Sequence, residues 1–261
     1  MNKPEVTIYK IGGGIIDEPA ELTSFLHLLA QGSGLKILVH GGGKGASTLM
    51  RELGLSPQLI NGRRVTDAAT LDIVTMFYAG KTNKQVVAEL QRQGINALGL
   101  SGADGNIIQG IKRPVKDIDY GFVGDLVPGS INAGLLRQLL SAGIMPVLCP
   151  IIHDGQGQLL NTNADTIASA VAVALADAYT VKLHYCFEKN GVLRDVTDEQ
   201  SVIAEINSIK YTELKEQGII ADGMLPKLEN AFAALRQGVS QVIIGHARNI
   251  NNSLHTVLCL N

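Results

Sequence analysis

Short apolar runs alternate with longer segments of helical periodicity along most of this 261-residue chain. Runs of five to nine residues rich in Val, Ile and Leu predict strands, and several of the predicted helices stop at a glycine. Such alternation is typical of a mainly parallel sheet with helices on both faces, so we predict an α/β fold. The predicted strands are 6–11, 36–40, 96–101, 144–149, 179–187, 241–245 and 256–260, and the predicted helices are 19–32, 45–54, 67–94, 130–143, 164–178, 208–218 and 224–238.

Residues 106–127 interrupt the alternation, and their turn residues predict a β-ribbon. The sequence contains no internal repeat and no low-complexity linker. We place a lobe boundary in the Ala/Val-rich helix that follows "LNTNAD". This boundary predicts an N-terminal lobe of residues 1–173 and a C-terminal lobe of residues 174–261.

Two of the predicted strands run directly into triple glycines. The strand that ends with Lys10 and Ile11 is followed by glycines 12–14, and the next strand is followed by glycines 41–43. Glycine lets backbone N–H groups approach an anion, and ligands of open parallel sheets bind beyond the carboxyl ends of strands. We therefore predict one anion site built from both loops. A tight strand-to-helix turn is the alternative explanation for either loop alone.

The second glycine loop also satisfies a dinucleotide-binding pattern. Gly41, Gly43 and Ala46 fit G-x-G-x-x-A, and Arg63 and Arg64 follow about twenty residues later, where NADP-binding proteins contact the 2′-phosphate. However, the arginines follow a turn-rich segment and no clear second parallel strand. The pattern therefore supports NADP binding only weakly.

Two lysines are candidates for phosphate binding. Lys10 ends an apolar strand, where a lysine is seldom buried without a partner. Lys227 follows Asp222, a good helix cap, and Pro226, which suits a first helical turn. The helix dipole disfavours a cation at that end, and a bound phosphate would reverse the penalty. A solvated surface lysine is the alternative at either position.

The stretch "LLNTNADTIAS" carries three polar residues into an apolar helix. Asn161 and Asn163 project to one side if the segment is extended, and Asp165 begins the helix. Helix capping explains one of the three but not all of them. We therefore predict that the amides bind a polar substrate and that the carboxylate orients nearby lysines.

Composition excludes several classes of function. The 22 basic and 24 acidic residues leave a net charge of −2 with no basic stripe, and aromatic residues are only 4% with no Trp, which disfavours nucleic acid. No apolar run reaches the roughly 18 residues of a membrane span, and the start of the chain has no secretion signal. Cys149, Cys186 and Cys259 are widely spaced, so we predict buried free thiols, no metal site held by the protein, and a cytoplasmic location.

Seven motifs in this order resemble the amino acid kinase family, and within it the enzymes that act on N-acetylglutamate: "YKIGGG", "LVHGGGK", "NGRRVT", "LGLSGADG", "GFVGD", "LLNTNADT" and "IIADGMLPKLENA". The resemblance implies an open αβα sandwich of two lobes. The N-terminal lobe would bind the acyl amino acid and form the dimer, and the C-terminal lobe would bind ATP. The implied reaction, a step of arginine biosynthesis, moves the γ-phosphoryl group of ATP to the substrate's side-chain carboxylate. Mg²⁺ would be carried on the ATP phosphates.

The resemblance also implies a role for each candidate residue. Charge on the transferring phosphoryl group would be stabilised by Lys10 and Lys227, which Asp165 would hold in place. Backbone N–H groups would come from Gly13 and Gly42. The Arg64 guanidinium would bind the substrate's α-carboxylate, a task that suits its planar fork of donors. The substrate-binding residues would be Gly42, Gly43, Arg64, Asn161 and Asn163. The ATP-binding residues would be Glu188, Lys189, Gly191, Leu193, Ile219, Ile220, Ala221 and Lys227.

Two departures from the family pattern affect the ATP side. The chain has "CFEKNGVL" where Ser/Thr-Asp-Val-x-Gly-Val/Ile-Leu is common, and His255-Thr256 where Gly-Thr is usual. The first departure resembles a branch associated with succinylated intermediates, so N-succinyl-L-glutamate is an alternative acceptor. A kinase acting on carbamate, aspartate or a nucleotide, and a non-catalytic sensor, are further alternatives. The first strand begins only a few residues into the chain, without the N-terminal helix that arginine-inhibited, hexameric members of the family carry. The resemblance therefore implies a homodimer that is insensitive to arginine.

Overall fold

The computed structural model describes residues 3–60, 63–220 and 224–260. Every strand and helix predicted above is present to within a few residues. The strands are β1 (Glu5–Ile11), β2 (Leu35–His40), β3 (Leu59–Ile60), β4 (Arg63–Arg64), β5 (Ala97–Leu100), β6 (Ile111–Lys112), β7 (Gly124–Asp125), β8 (Met145–Leu148), β9 (Ile151–His153), β10 (Leu159–Asn161), β11 (Thr180–Phe187), β12 (Glu205–Ile206), β13 (Gln241–His246) and β14 (His255–Leu258). The helices are α1 (Gly13–Ile16), α2 (Pro19–Gln31), α3 (Gly45–Glu52), α4 (Ala68–Val74), α5 (Asn83–Arg92), α6 (Ala133–Ser141), α7 (Ala164–Leu175), α8 (Ser208–Glu216) and α9 (Leu225–Arg236).

Eight strands form one sheet in the order β12-β14-β13-β11-β1-β2-β8-β5. All neighbours are parallel except β13 and β14. The central strand β1 pairs with β11 on one side and β2 on the other, so that Ile11 is level with Cys186 and His40. The carboxyl ends of these three strands therefore meet at one edge of the sheet. The predicted α/β sandwich is confirmed.

Side chains of β1 alternate between two apolar layers. Val6 and Ile8 pack in the layer formed with α7 and α9, and Tyr9 and Ile11 pack in the layer formed with α2 and α5. Because successive strand residues face opposite sides, Lys10 points toward the α7 layer. The register of β1 thus brings a lysine to the first turn of α7. The predicted lobe boundary at residue 173 falls inside α7 and stays a prediction.

The long predicted helix 67–94 exists, but its middle is wound differently. Asp67 caps α4 by accepting the Thr70 N–H at 2.8 Å. Between α4 and α5 the chain forms a π-helix, Thr75–Thr82. The apolar period predicted the helix and its ends, but a π segment has no periodic pattern of its own.

Several short elements were not predicted. They are the hairpins β3–β4 and β9–β10, the edge strand β12 and the short helix α1. The predicted ribbon in 106–127 is present as the pair β6–β7. Within the described residues, no helix combines the length and apolar character needed to cross a membrane. Cys149 and Cys186 are buried free thiols as predicted, whereas Cys259 is free but only partly buried.

Candidate active site

The two glycine loops touch at the carboxyl edge of the sheet. The Gly41 N–H donates to the Ile11 carbonyl at 3.0 Å, which ties the start of the second loop to the end of β1. A Cβ placed on Gly13 would lie 3.0 Å from the Cα of Gly43, which is tighter than most side-chain contacts. Glycine suits this position because two backbones pack against each other.

Asp17 and Tyr78 hold the second loop from outside, and neither was predicted. Both carboxylate oxygens of Asp17 accept the Lys44 N–H, at 2.9 and 2.8 Å. Gly43 has φ +61°, in the left-handed region, and a Cβ there would overlap Asp17. A Cβ on Gly42 would overlap the buried ring of Tyr78. The loop is thus held by an acid that follows the first glycines and by an aromatic ring from the π-helix.

A buried polar network supports the same loop from below. His40 donates from Nδ1 to the Gly41 carbonyl at 2.9 Å, and its Nε2 accepts from the Asn83 amide at 3.0 Å. That amide also donates to the Val147 carbonyl, so it acts as a donor to His40 and fixes the Nδ1–H tautomer. Burial lowers the pKa of His40 to about 4, and the imidazole is neutral at pH 7.

Lys10 and Asp165 form a close ion pair. The Lys10 Nζ lies 2.7 Å from Asp165 Oδ1, and Lys10 is only 7% exposed. Asp165 belongs to the first turn of α7, whose cap is Asn163. The Asn163 side-chain oxygen accepts the N–H groups of Asp165 and Thr166 at 2.7 and 3.2 Å. The cap therefore fixes the turn that aims the carboxylate at Lys10.

Lys227 reaches the same region from α9. It is the third residue of that helix, whose first turn contains a proline, and the proposed cap Asp222 lies outside the described residues. The Lys227 Nζ lies 4.1 Å from the centroid of the Phe187 ring, and the Lys10 Nζ lies 5.8 Å from it. Burial lowers the pKa of Lys227, while the charge of Asp165 opposes that shift. Both lysines thus converge above one aromatic ring.

A cavity of about 310 Å³ opens on the β3–β4 side of the two lysines. The predicted substrate residues line it, except Gly43, which only shapes the loop behind it. Its walls include a second arginine, Arg63, and the Tyr78 ring, neither of which was predicted to bind substrate. The predicted residues on its walls are Lys10, Gly13, Gly42, Arg64, Asn161, Asn163 and Asp165.

Arg64 and Asn161 are held in this cavity by neighbours distant in sequence. Arg64 donates from Nη2 to the Ser47 hydroxyl at 2.8 Å, and its Nη1 lies 3.4 Å from the Met50 sulfur. Asn161 is buried and donates from Nδ2 to the Thr66 hydroxyl at 3.1 Å. The Arg64 guanidinium and the Asn161 amide are therefore already oriented before a ligand binds.

A second cavity, of about 720 Å³ and largely apolar, lies between β1, β11 and the start of α9. Glu188 lies against Gly14, where a Cβ would overlap its carboxylate. Lys189 also forms an exposed ion pair with Glu199 at 3.1 Å. One predicted ATP residue, Ala221, lies outside the described residues. The other seven line this cavity: Glu188, Lys189, Gly191, Leu193, Ile219, Ile220 and Lys227.

Thr256 of the unusual His255-Thr256 pair supports the wall of the larger cavity from behind. Thr256 is fully buried, and its hydroxyl accepts the Val192 N–H at 2.8 Å. A Cβ on Gly191 would lie 2.6 Å from that hydroxyl, so the glycine allows the close approach. Thr256 therefore holds the 191–193 segment of the cavity wall without facing a ligand itself.

The two cavities share one wall, which consists of Lys10, Gly12 and Gly13. Such an arrangement can place an anionic group of one ligand beside a group of another ligand, with ammonium charge between them. Arg63 and Arg64 form a hairpin strand beside the smaller cavity and do not follow a second parallel strand, unlike the NADP-binding arrangement. The shared wall favours transfer between two small molecules.

Comparison with known proteins gives consistent matches. Residues 5–246 match the amino acid kinase family. The chain is 52% identical to an acetylglutamate kinase of Phocaeicola vulgatus, over 98% of this chain and 99% of the relative. It is 54% identical to an acetylglutamate kinase of Cytophaga hutchinsonii, over 93% and 92% of the two chains. A solved structure from Streptococcus mutans superposes with a TM-score of 0.79 at 28% identity, over 98% of this chain and 99% of that one.

Proposed function

Because the chain belongs to the amino acid kinase family, we propose that it transfers the γ-phosphoryl group of ATP to the side-chain carboxylate of N-acetyl-L-glutamate. The observation that carries the proposal is the wall of Lys10, Gly12 and Gly13 between the two cavities. ATP occupies the larger cavity and the acyl amino acid occupies the smaller one. The phosphoryl group passes across the shared wall. The reaction is a step of arginine biosynthesis.

Lys10 and Lys227 stabilise the transferring phosphoryl group. Phosphoryl transfer needs little covalent help from a protein, and it is accelerated by positioning and by charge stabilisation. Lys10 serves the acceptor side and the shared wall, while Lys227 approaches from the ATP side. Asp165 keeps the Lys10 ammonium in place through the 2.7 Å ion pair. The barrier falls because these charges are in position before the reaction begins.

Backbone N–H groups of Gly13 and Gly42 bind the same phosphoryl oxygens. The loops that carry them are packed against each other and supported by Asp17 and Tyr78. A donor that is already fixed needs no reorganisation when charge develops on an oxygen. We therefore propose that Asp17 and Tyr78 are positioning residues, which hold the loops and their N–H groups in place.

The acceptor binds between Arg64 and the two asparagines. The Arg64 guanidinium takes the α-carboxylate, since its planar fork suits two carboxylate oxygens. Asn163 uses only its side-chain oxygen to cap α7, so its amide N–H groups are available to the acyl group. Asn161 lies beside it, Gly42 lines the cavity, and Gly43 shapes the loop behind Gly42.

ATP enters with Mg²⁺ bound to its phosphates. Among the residues that the structure describes, no three His, Cys, Asp or Glu side chains are grouped to hold a metal ion. The ion enters as part of the MgATP substrate, because Mg²⁺ binds readily to phosphate oxygens. The apolar larger cavity suits the adenine and ribose, and the ATP-binding residues are Glu188, Lys189, Gly191, Leu193, Ile219, Ile220, Ala221 and Lys227.

We also propose the lobes 1–173 for acceptor binding and dimerisation and 174–261 for ATP binding. The residues that line the smaller cavity all lie within 1–173. The larger cavity is lined by residues of 174–261 and, in addition, by Lys10, glycines 12–14 and Ile15. A homodimer located in the cytoplasm completes the proposal. Light scattering of the purified chain measures the assembly.

ADP formation by the purified protein tests the activity. ATP and Mg²⁺ are supplied with N-acetyl-L-glutamate or, in parallel, with N-succinyl-L-glutamate, which carries one more carboxylate. The names of the relatives favour the acetyl substrate, whereas Arg63 in the acceptor cavity is a second cation that could bind the extra charge. We expect acceptor-dependent turnover with the acetyl compound. ATP binding without turnover on either acceptor would contradict the proposal and favour a sensor.

A further inference from the structure

Phe187 occupies an unexpected position for an aromatic side chain in a phosphate site. It ends β11, lines the larger cavity and lies beneath both ammonium groups, with Lys227 Nζ at 4.1 Å and Lys10 Nζ at 5.8 Å from the ring centroid. The face of an aromatic ring carries negative charge density and attracts cations within about 6 Å. The ring therefore contacts the charges that the transfer depends on.

The two lysines differ in their other partners. Lys10 has the Asp165 carboxylate at 2.7 Å. Lys227 takes part in none of the ion pairs found within residues 3–60, 63–220 and 224–260. It also lies at the end of α9 where the helix dipole disfavours a cation. The charges of Asp165 and Glu188 also attract the Lys227 ammonium, but within the described residues neither forms an ion pair with it, and the Phe187 ring is a close favourable contact at 4.1 Å.

The ring itself is fixed by its surroundings. Tyr185 lies two residues earlier on the same face of β11, and the two rings stack at 6.1 Å with an interplanar angle of 17°. The Tyr185 hydroxyl donates to the backbone carbonyl of Asp165 at 3.4 Å. The aromatic pair is therefore tied to the same turn of α7 that holds Lys10.

We propose that Phe187 is a positioning residue that holds the Lys227 ammonium toward the transferring phosphoryl group through a cation–π contact. The inference rests on the proposed kinase function and adds a residue to it. A carboxylate in this position would also hold the lysine, but it would repel the ATP phosphates. The neutral ring attracts the cation without adding a negative charge that would repel the incoming phosphate.

Two substitutions separate the ring face from simple bulk. Phe187→Leu keeps an apolar side chain but removes the π face, and Phe187→Tyr keeps the face. We expect about tenfold lower kcat for the leucine variant, with KM for ATP and for the acceptor within about threefold of wild type. The tyrosine variant should retain kcat within about threefold. Phe77→Leu, which removes another ring from beneath a lysine (Lys81 Nζ at 5.0 Å) outside both cavities, is the control.

A titration that needs no turnover measures the contact directly. Reductive methylation with ¹³C labels the lysines, Lys227→Arg assigns the Lys227 resonance, and its pKa is followed by NMR. Removing the ring removes a stabilisation of the charged form, so the pKa of Lys227 should fall by about half a unit or more in Phe187→Leu. It should stay within a few tenths of a unit in Phe187→Tyr.

The outcomes separate this inference from the function on which it rests. An inactive wild type refutes the kinase, and the titration still tests the ring. An active wild type with unchanged kcat in Phe187→Leu overturns the positioning role. A higher KM for ATP at unchanged kcat also overturns it, because the ring would then be a nucleotide contact. Equal losses in the leucine and tyrosine variants, or an unshifted Lys227 pKa, overturn it as well.

Discussion

The Lys10 ammonium lies 2.7 Å from the Asp165 carboxylate, on the wall that separates two cavities. The strand β1 places Lys10 on its α7 face, and the Asn163 cap fixes the turn of α7 that carries Asp165. A buried lysine needs a partner, and the pair keeps the Lys10 ammonium directed. The pair connects the fold of the sheet to the proposed chemistry.

Asp165→Asn should lower kcat by roughly 100-fold or more, since the Lys10 ammonium loses the charge that orients it. KM for ATP should change much less. Steady-state kinetics with both substrates varied measures the two effects. Asp177→Asn, an exposed site just beyond the other end of α7, is the matched control and should keep wild-type kinetics. Full activity in Asp165→Asn would remove the ion pair from the mechanism.

Arg64→Lys should raise KM for the acceptor by roughly tenfold or more, because an ammonium cannot replace the two parallel hydrogen bonds of a guanidinium. KM for ATP should stay near the wild-type value, since Arg64 lines only the smaller cavity. Arg51→Lys on the exposed side of α3 controls for the loss of a surface guanidinium. An equal rise in both KM values would contradict the assignment of the cavities.

Gly42→Ala should lower the free energy of unfolding by about 1–3 kcal/mol and reduce kcat, because the new Cβ overlaps the buried Tyr78 ring. Gly80→Ala is the control. Gly80 lies in the π-helix that carries Tyr78, and nothing lies within 4 Å of a Cβ placed on it. Its stability should be unchanged or slightly higher. Urea denaturation of the two variants measures the difference. Equal stabilities would mean that the loop yields to Tyr78 without cost.

Stability should fall as the pH is lowered from about 6.5 toward 4. Burial lowers the pKa of His40 to about 4 and the pKa of His184 to about 3, below the usual value of 6.5. In that interval the unfolded chain binds more protons than the folded one, so protonation favours unfolding. The slope is roughly 1.4 kcal/mol per pH unit for each histidine. Urea denaturation at a series of pH values measures it.

His184→Leu should make that pH profile less steep, because it removes one of the two buried imidazoles and keeps the site apolar. His27→Gln is the control, since His27 lies on the exposed face of α2. An unchanged profile in His184→Leu would show that His184 does not contribute to the acid sensitivity.

Hydrophobic periodicity predicts most of this fold from the sequence. The central strand β1, its neighbours and the long helices around them were all predicted, since the strands are apolar runs and the helices have a period of 3.6 residues. The pairs β3–β4 and β9–β10 are two or three residues long in each strand and carry no period. They are stabilised by contacts with parts of the chain distant in sequence, so a local sequence pattern does not predict them.

The candidate site was predictable where its residues lie near a motif. Lys10, the glycines and the "NTNAD" stretch stand next to recognisable strand and helix ends. Tyr78 and Asp17 were missed because their contacts with the second loop depend on packing between elements distant in sequence. Phe187 was part of an unusual stretch, but only the side-chain geometry shows that its ring lies beneath both lysines.

The most direct test of the account is to observe the phosphorylated product itself. ³¹P NMR of the protein with MgATP and N-acetyl-L-glutamate should show an acyl phosphate resonance that grows together with ADP, and hydroxylamine should convert that product to a hydroxamate. In Lys10→Ala, which disrupts the shared wall, the resonance should be strongly reduced. Release of inorganic phosphate alone, with no acyl phosphate and no hydroxamate, would contradict transfer between the two cavities.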